Sequence, residues 1–179
     1  MDAEVPVEWL CAVSRFRLGW TNADHVVSAS ANWLGESPES AGLLLLASAS
    51  VSQDLRREEV DVLIDEAMAD VGWTVADDRT YLWIAVVCTL ASSPPPTAEQ
   101  TASLLSKLAL ASDSDFGLLS EFIALIDYLD EGIPRDRVER RIMSAYAEVR
   151  SELTRRLEAR LADSIYRSLL ERWRQIDVE

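Results

Sequence analysis

The sequence predicts an all-α protein, either an irregular multi-helix bundle or a short stack of helical hairpins. Apolar residues recur at steps of three and four through most of the chain, which is the spacing of one helix face. Capping residues, single glycines and prolines separate these periodic segments. Because 49% of the 179 residues are hydrophobic and only 6 are glycine and 6 proline, the composition is typical of a folded globular chain.

The first two helices are bounded by turn residues. We predict one helix over residues 6–18, begun by proline and ended by Gly19, and a second over residues 21–34. Thr21 has an acid three residues later, as in a capping box. Gly35 is predicted to end the second helix.

The third helix is predicted to be central. Ser37-Pro38-Glu39 has the residue types of an N-cap, a first-turn proline and a first-turn acid. Four consecutive leucines, Leu43–Leu46, would make the helix apolar on nearly all sides, so we expect it in the middle of the bundle. A fourth helix is predicted to begin at Ser52 or Asp54 and to end at Gly72.

Three further helices follow before the last segment. The fifth covers about residues 80–91, and its β-branched residues leave a strand as the alternative. Residues 92–96, Ser-Ser-Pro-Pro-Pro, are the clearest break in the pattern. A capping-box pattern at Thr97 begins a sixth helix over about 98–111, and a seventh runs over about 115–131.

The last segment, about residues 134–176, is predicted to be one long helix or two helices joined by a bend. Its apolar residues recur at a mean step of about 3.8, longer than the 3.5 of a left-handed coiled coil, so the apolar stripe drifts around the helix. Asp136–Arg140, Glu152–Arg156 and Asp163–Arg167 have the i, i+4 spacing of ion pairs on a solvated face.

In total the sequence predicts about eight helices with a long C-terminal helix. A chain of 179 residues suits a single helical domain over residues 1–179. The alternative is a sub-division near residues 92–97, with five helices before it and three after it.

The charge of the chain is strongly acidic and uneven. There are 31 acidic and 17 basic residues, a net charge of −14. Residues 1–134 carry 22 acids and 6 bases, whereas residues 135–179 carry 9 acids and 11 bases. Negative charge opposes binding to a phosphate backbone and favours a basic partner. We therefore expect a protein partner and no nucleic acid.

The sequence also predicts a cytoplasmic location. The N-terminus MDAEVPVEWL lacks the basic region of a signal peptide, and the apolar runs are too short to span a bilayer, so no membrane is expected. Cys11 and Cys88 lie among apolar residues on predicted helices. We interpret them as structural thiols, with a disulfide as the alternative.

The chain lacks the residue patterns of catalysis. His25 is the only histidine, and it lies in the first turn of the second predicted helix, where polar residues are ordinary. The glycines are scattered singly, so no phosphate-binding loop is present, and no histidine or cysteine spacing matches a zinc site. We therefore expect neither enzymatic activity nor a cofactor or metal.

The acidic cluster of the fourth helix is the candidate site for a partner. Some of its members share a helix face, although a solvated face is the simpler interpretation. A metal-dependent hydrolase would also need a second acidic helix, and the spacing of the nearest candidates, Glu121 and Asp127, does not match. The candidate partner-binding residues are Glu58, Asp61, Asp65, Glu66, Asp70, Asp77 and Asp78.

Residues 15–73 resemble the helical N-terminal part of small acidic bacterial proteins from high-GC genomes. The landmarks are Leu18-Gly19-Trp20, Ser37-Pro38, Leu43–Leu46 and Gly72-Trp73. Some proteins of this kind look like immunity proteins encoded beside secreted toxins. These landmarks are helix caps and core residues, so the resemblance implies an all-helical fold and a toxin partner but no active site.

These observations favour a non-catalytic, cytoplasmic protein-binding function. The leading hypothesis is an immunity-type inhibitor that neutralises a basic toxin or nuclease domain, with contact at the acidic fourth helix. A helical scaffold or regulatory adaptor, dimeric through the C-terminal helix, is the first alternative. A metal-dependent hydrolase that uses the carboxylates of Glu58–Asp70 is the second.

Overall fold

A computed structural model describes residues 5–36, 40–49, 56–73, 78–92, 95, 97–112, 117–131, 133–160 and 164–175. Within these ranges all regular structure is helical, with nine helices and no strand, which confirms the all-α prediction. No helix in these ranges has both the length and the apolar content that a bilayer crossing requires. The helices are α1 (Val7–Arg17), α2 (Ala23–Glu36), α3 (Ala41–Ser48), α4 (Arg57–Asp70), α5 (Asp78–Ser92), α6 (Ala98–Ala111), α7 (Gly117–Asp130), α8 (Arg135–Glu158) and α9 (Ser164–Gln175).

The chain forms two compact units, Met1–Ala85 and Val86–Glu179. Their boundary falls inside α5, although the prolines that follow α5 are the sharper break in the sequence. Residues 80–88 of α5 are all buried, so this part of the helix has no solvent face. A single domain, or a sub-division at residues 92–97, stays a prediction.

In the first unit, consecutive helices pack against each other: α1 on α2, α2 on α3 and α3 on α4. The fully buried Trp9 of α1 donates its indole N–H to the Ser30 hydroxyl of α2 at 2.9 Å. Its ring centroid lies 4.9 Å from that of Trp33. The hydroxyl oxygen satisfies the buried indole N–H, so Trp9 can pack in the core between α1 and α2 without an unpaired indole donor.

Two glycines end helices as predicted, and one does not. Gly19 and Gly72 have φ angles of 74° and 71°, in the left-handed region that favours glycine after a helix. Gly35 lies inside α2, which continues to Glu36, so the prediction that it ends the helix is wrong. The Thr21 capping box is also wrong, because α2 begins two residues later and the Thr21 hydroxyl has no hydrogen-bond partner among the described residues.

The prediction that α3 is central is wrong. Leu43 and Leu46 are fully buried, whereas Leu44 and Leu45 are about half exposed. A helix that packs on α2 and α4 with one side leaves the opposite side in solvent, and four consecutive leucines cover both sides. The N-cap is Ser40, whose hydroxyl accepts from the Leu43 N–H at 3.0 Å. The predicted cap, Ser37-Pro38-Glu39, lies outside the described residues.

In the second unit, α6, α7 and α8 pack against one another and α9 packs on α8. The predicted cap of α6 is confirmed, because the Thr97 hydroxyl accepts from the Gln100 N–H at 3.2 Å. The C-terminal segment is two helices rather than one. The α9 helix folds back on α8, so that the Trp173 indole N–H donates to the Thr154 hydroxyl at 3.0 Å.

The apolar stripe of α8 faces the inside of its unit. The predicted i, i+4 ion pairs Asp136–Arg140 and Glu152–Arg156 form outside this stripe. The third, Asp163–Arg167, includes a residue outside the described ranges. The buried members of the stripe are Val138, Ile142, Tyr146, Val149, Leu153 and Leu157.

Neither cysteine is a free thiol. Cys11 and Cys88 are both disulfide-bonded, so the interpretation of structural thiols is wrong.

Candidate functional site

The structure places most of the predicted acidic cluster on α4. Glu58, Asp61, Asp65, Glu66 and Asp70 all belong to this helix, so the sequence located the cluster on one element. Asp78 is the first residue of α5, and its side chain lies outside what the structure describes. Asp77 lies outside the described residues.

Arg17, at the end of α1, binds two of these acids. Its Nη1 lies 3.0 Å from Asp61 Oδ1, and its Nη2 forms an ion pair with Asp65 and donates to the Asp61 carbonyl at 3.1 Å. The Nη1 contact is an ion pair outside hydrogen-bond geometry, because Asp61 Oδ1 accepts no hydrogen bond from the described part of the chain. Arg17 also stacks on Tyr81, 5.8 Å from the ring centroid. These acids therefore attach α4 to α1.

Arg57, the first residue of α4, also binds the end of α1. Its guanidinium donates to the carbonyls of Phe16 and Arg17 at 2.7 and 2.9 Å. It also stacks on the Phe16 ring at 5.0 Å. The last carbonyls of a helix have no partner within the helix and carry its negative end, so a cation from α4 stabilises the end of α1.

Asp70 joins α4 to the start of α3. Its Oδ2 accepts from the Ser40 hydroxyl at 2.8 Å and from the Gly42 N–H at 3.3 Å. The Ser40 hydrogen bond, followed by the Gly42 backbone, holds the pKa of Asp70 below its ordinary value. Asp70 thus satisfies an N–H of the first turn of α3 that the helix itself cannot pair.

Among the described side chains of the predicted cluster, two remain for a partner. Glu58 and Glu66 are exposed and have no ion pair or side-chain hydrogen bond within the described ranges. A further acid of α4, Glu59, accepts from the Arg56 N–H at 3.0 Å at the start of its own helix. The structure therefore divides the predicted cluster into acids that hold the first unit together and acids that face solvent.

The sequence did not predict the basic and apolar residues of this region. Arg17 and Arg57 were not candidates, because nothing in local spacing shows that residues about 40 apart meet in space. The exposed side chains Leu44, Leu45 and Val62 lie on α3 and α4. The signal for the leucines was available, since four in succession cannot all face one side of a helix.

The residues considered for catalysis lie on different helices. His25 is exposed on α2. Glu121, which the hydrolase hypothesis would need opposite α4, accepts from Arg141 Nε at 2.6 Å. Within the ranges that the structure describes, no three His, Cys, Asp or Glu side chains are grouped so that they could hold a metal ion.

Comparisons with protein-family models, with curated proteins and with solved structures found no match to this chain. The fold and the surface therefore define the class of protein. It is an all-α protein whose first unit presents an acidic helix with some unpaired carboxylates among its described residues.

Proposed function

We propose that the chain is a non-catalytic protein-binding protein, an immunity-type inhibitor that neutralises a basic toxin or nuclease domain. One observation carries the proposal: Glu58 and Glu66 are exposed on α4 without a partner in the described part of the chain. The first unit as a whole has 15 acidic and 5 basic residues, a net charge of −10. The negative electrostatic field of this unit speeds association with a cationic protein. Once bound, the chain would cover the surface with which that protein binds nucleic acid.

The resemblance of residues 15–73 makes the proposal more specific. The matching stretch runs from the end of α1 to the residue after Gly72 and so contains α2, α3 and α4. Some of the proteins that it resembles look like immunity proteins encoded beside secreted toxins. The partner would accordingly be the product of a neighbouring reading frame.

The test is to express the proteins of the two flanking reading frames in cells, with and without this chain. Growth arrest by one of them, relieved by the chain, is the expected result. A direct complex between the two purified proteins, with an affinity that falls as salt is raised, should accompany the relief. If neither neighbour arrests growth, or if the chain does not relieve the arrest, the proposal is wrong.

The adaptor and the hydrolase have less support. A dimer through the C-terminal helix would need an uncovered apolar stripe, and the stripe of α8 is buried. A hydrolase would need several carboxylates of α4 for its metal, whereas Asp61, Asp65 and Asp70 bind groups of α1 and α3.

The proposed place of action is the cytoplasm. The disulfide-bonded state of Cys11 and Cys88 points instead to an oxidising compartment, where disulfides persist. Labelling of thiols after rapid acid quenching of intact cells decides between them. Two reactive thiols per chain support the cytoplasm, and none contradicts it.

A further inference from the structure

The exposed large apolar side chains of the first unit are concentrated on one helical hairpin. Among the described residues of this unit they are Leu44, Leu45 and Val62, with exposed fractions of 55%, 51% and 56%. Single exposed apolar residues are common on protein surfaces. Here, however, all three lie on α3 and α4, which pack against each other.

The two helices run antiparallel, and Leu45 is the exposed leucine of α3 that lies towards α4. The start of α3 lies at the end of α4, because Ser40 and Gly42 both donate to Asp70. The approach is close, since a Cβ on Gly42 would lie 2.4 Å from the Ala67 nitrogen. Leu45 follows Gly42 by three residues and therefore lies on the side of α3 nearest α4, beside the middle of that helix.

The outer side of α4 alternates acid and apolar residues. Glu58, Val62 and Glu66 follow one another at intervals of four residues, so they form one stripe along the helix. All three are exposed. The two glutamates are about 12 Å apart along the helix axis, with the apolar side chain between them.

We infer that this outer face of the α3–α4 hairpin, formed by Leu45, Val62, Glu58 and Glu66, is a docking surface for a basic amphipathic helix of the partner. The inference rests on the proposed function and names its contact. Apolar side chains of the partner helix would cover Leu45 and Val62, and cationic side chains two turns apart would pair with the two glutamates. An apolar centre edged by charged groups is the usual anatomy of a protein interface.

Charge decides between this occupant and a second copy of the chain. A symmetric dimer through the hairpin would bring together two units that each carry a net charge of −10, with the unpaired glutamates of both copies at the contact. A basic helix removes that repulsion and pairs the same glutamates.

The probes are two fluorescently labelled helical peptides of equal charge. Both have lysines two turns apart; one carries leucines between them and the other carries alanines. Binding to the full chain is measured by fluorescence anisotropy at low and at moderate salt. The variants are Leu45→Ser/Val62→Ser and Glu58→Gln/Glu66→Gln, with Leu110→Ser as the matched control, since Leu110 is exposed on α6 of the other unit. Circular dichroism and urea unfolding establish that each variant is folded.

The leucine peptide should bind the wild-type chain about tenfold more tightly than the alanine peptide. Leu45→Ser/Val62→Ser should remove that difference in affinity without changing the affinity for the alanine peptide. Glu58→Gln/Glu66→Gln should weaken both peptides and flatten their salt dependence. Leu110→Ser should change nothing. The inference is overturned if the serine pair leaves the affinity for the leucine peptide unchanged, or if the Leu110 control lowers it equally.

Two further measurements separate this inference from the proposed function. If a flanking toxin is neutralised by the wild type and equally by both double variants, the docking surface is wrong and the function stands. If the peptides bind as expected but no flanking protein is neutralised, the function is wrong and the surface stands. Sedimentation of the free chain tests the second copy, because self-association that Leu45→Ser/Val62→Ser abolishes would overturn the basic partner.

Discussion

The helices α4 and α8 are both densely charged, but their charges have different uses. In α8, arginines and acids are interleaved, and several of them pair along the helix itself: Arg140 binds Asp136, and both Arg155 and Arg156 bind Glu152. Others pair with neighbouring helices, as Arg141 does with Glu121 of α7. The α4 helix has one arginine and six acids, so that beyond the Arg57–Asp61 pair the partners for its acids must come from elsewhere in the chain. Arg17 of α1 and the start of α3 supply some of them.

The difference explains why the candidate surface lies on α4. A helix with charges of both signs pairs many of its own side chains and presents a salt-bridged face that contributes little to binding a partner. A helix with mostly negative charge binds neighbouring helices through those acids that face them. Its remaining acids stay exposed to solvent. In α4 the exposed remainder is Glu58 and Glu66, within the described part of the chain.

The largest expected effect comes from Gly42, where α3 meets α4. A Cβ at this position would lie within 3 Å of backbone atoms of Glu66 and Ala67, which cannot rotate away. We expect Gly42→Ala to lower the free energy of unfolding by about 2 kcal/mol, as measured by urea titration. Gly35→Ala is the matched control, since nothing lies within 4 Å of its Cβ position. An equal midpoint for Gly42→Ala and wild type would contradict the close packing of α3 on α4.

The two charged helices should respond differently to loss of one arginine. Arg17→Met removes the nearer of two cations from the half-buried Asp61 and leaves Arg57 at 4.0 Å, so we expect a loss of about 1–2 kcal/mol in the free energy of unfolding. Arg140→Met removes an ion pair in which both side chains are 77% exposed, and its effect should stay below about 0.5 kcal/mol. Chemical denaturation of the two variants side by side tests this contrast. Equal losses of unfolding free energy would show that the ion pairs of α4 contribute no more to stability than those of α8.

Acid should weaken α8 through Glu152. Hydrogen bonds from Arg155 and then Arg156 lower the pKa of Glu152 from 4.5 to about 2. A carboxyl whose pKa is lower in the folded state stabilises the fold above its unfolded pKa, and this stability is lost as the pH falls from about 4.5 to about 2. Glu152→Gln should therefore lower the free energy of unfolding by about 1 kcal/mol at pH 7 and by progressively less below pH 4.5. The loss at pH 7 is modest because Arg155 is exposed and solvent screens its attraction to Glu152. A constant difference between variant and wild type across this range would contradict the assignment.

The smallest effect on stability is expected at the two exposed glutamates. Glu58→Gln/Glu66→Gln removes no contact within the described residues, so the unfolding free energy should change by less than about 0.5 kcal/mol. Thermal and urea unfolding provide the measurement. A larger loss would mean that these glutamates, like Asp61 and Asp70, belong to the fold and are not free for a partner.

Local signals predicted most of the helices correctly. The Thr97 cap and the left-handed Gly19 and Gly72 mark real helix ends, because capping depends on hydrogen bonds between residues a few positions apart. The bend in the C-terminal segment was one of two predicted forms, and the drift of its apolar stripe indicated it. The helix end predicted at Gly35 was wrong, because a glycine also fits inside a helix where no turn is required.

The candidate site was predicted only in part. The acids of α4 could be assigned to one helix from their spacing, but their partners could not. Arg17 lies 44 residues from Asp61, and Ser40 lies 30 residues from Asp70. No local pattern distinguishes an acid that caps a distant helix from one that faces solvent.

The sequence by itself therefore determined that this protein is acidic and all-helical and that six of its acids lie on a single helix. These properties follow from composition, from periodicity and from short-range hydrogen bonding. Only the tertiary structure decided which acids are used within the fold, which leucines of α3 are exposed, and that Glu58, Val62 and Glu66 lie on a free surface. These depend on which helices pack against which, and packing joins residues that are far apart in the chain.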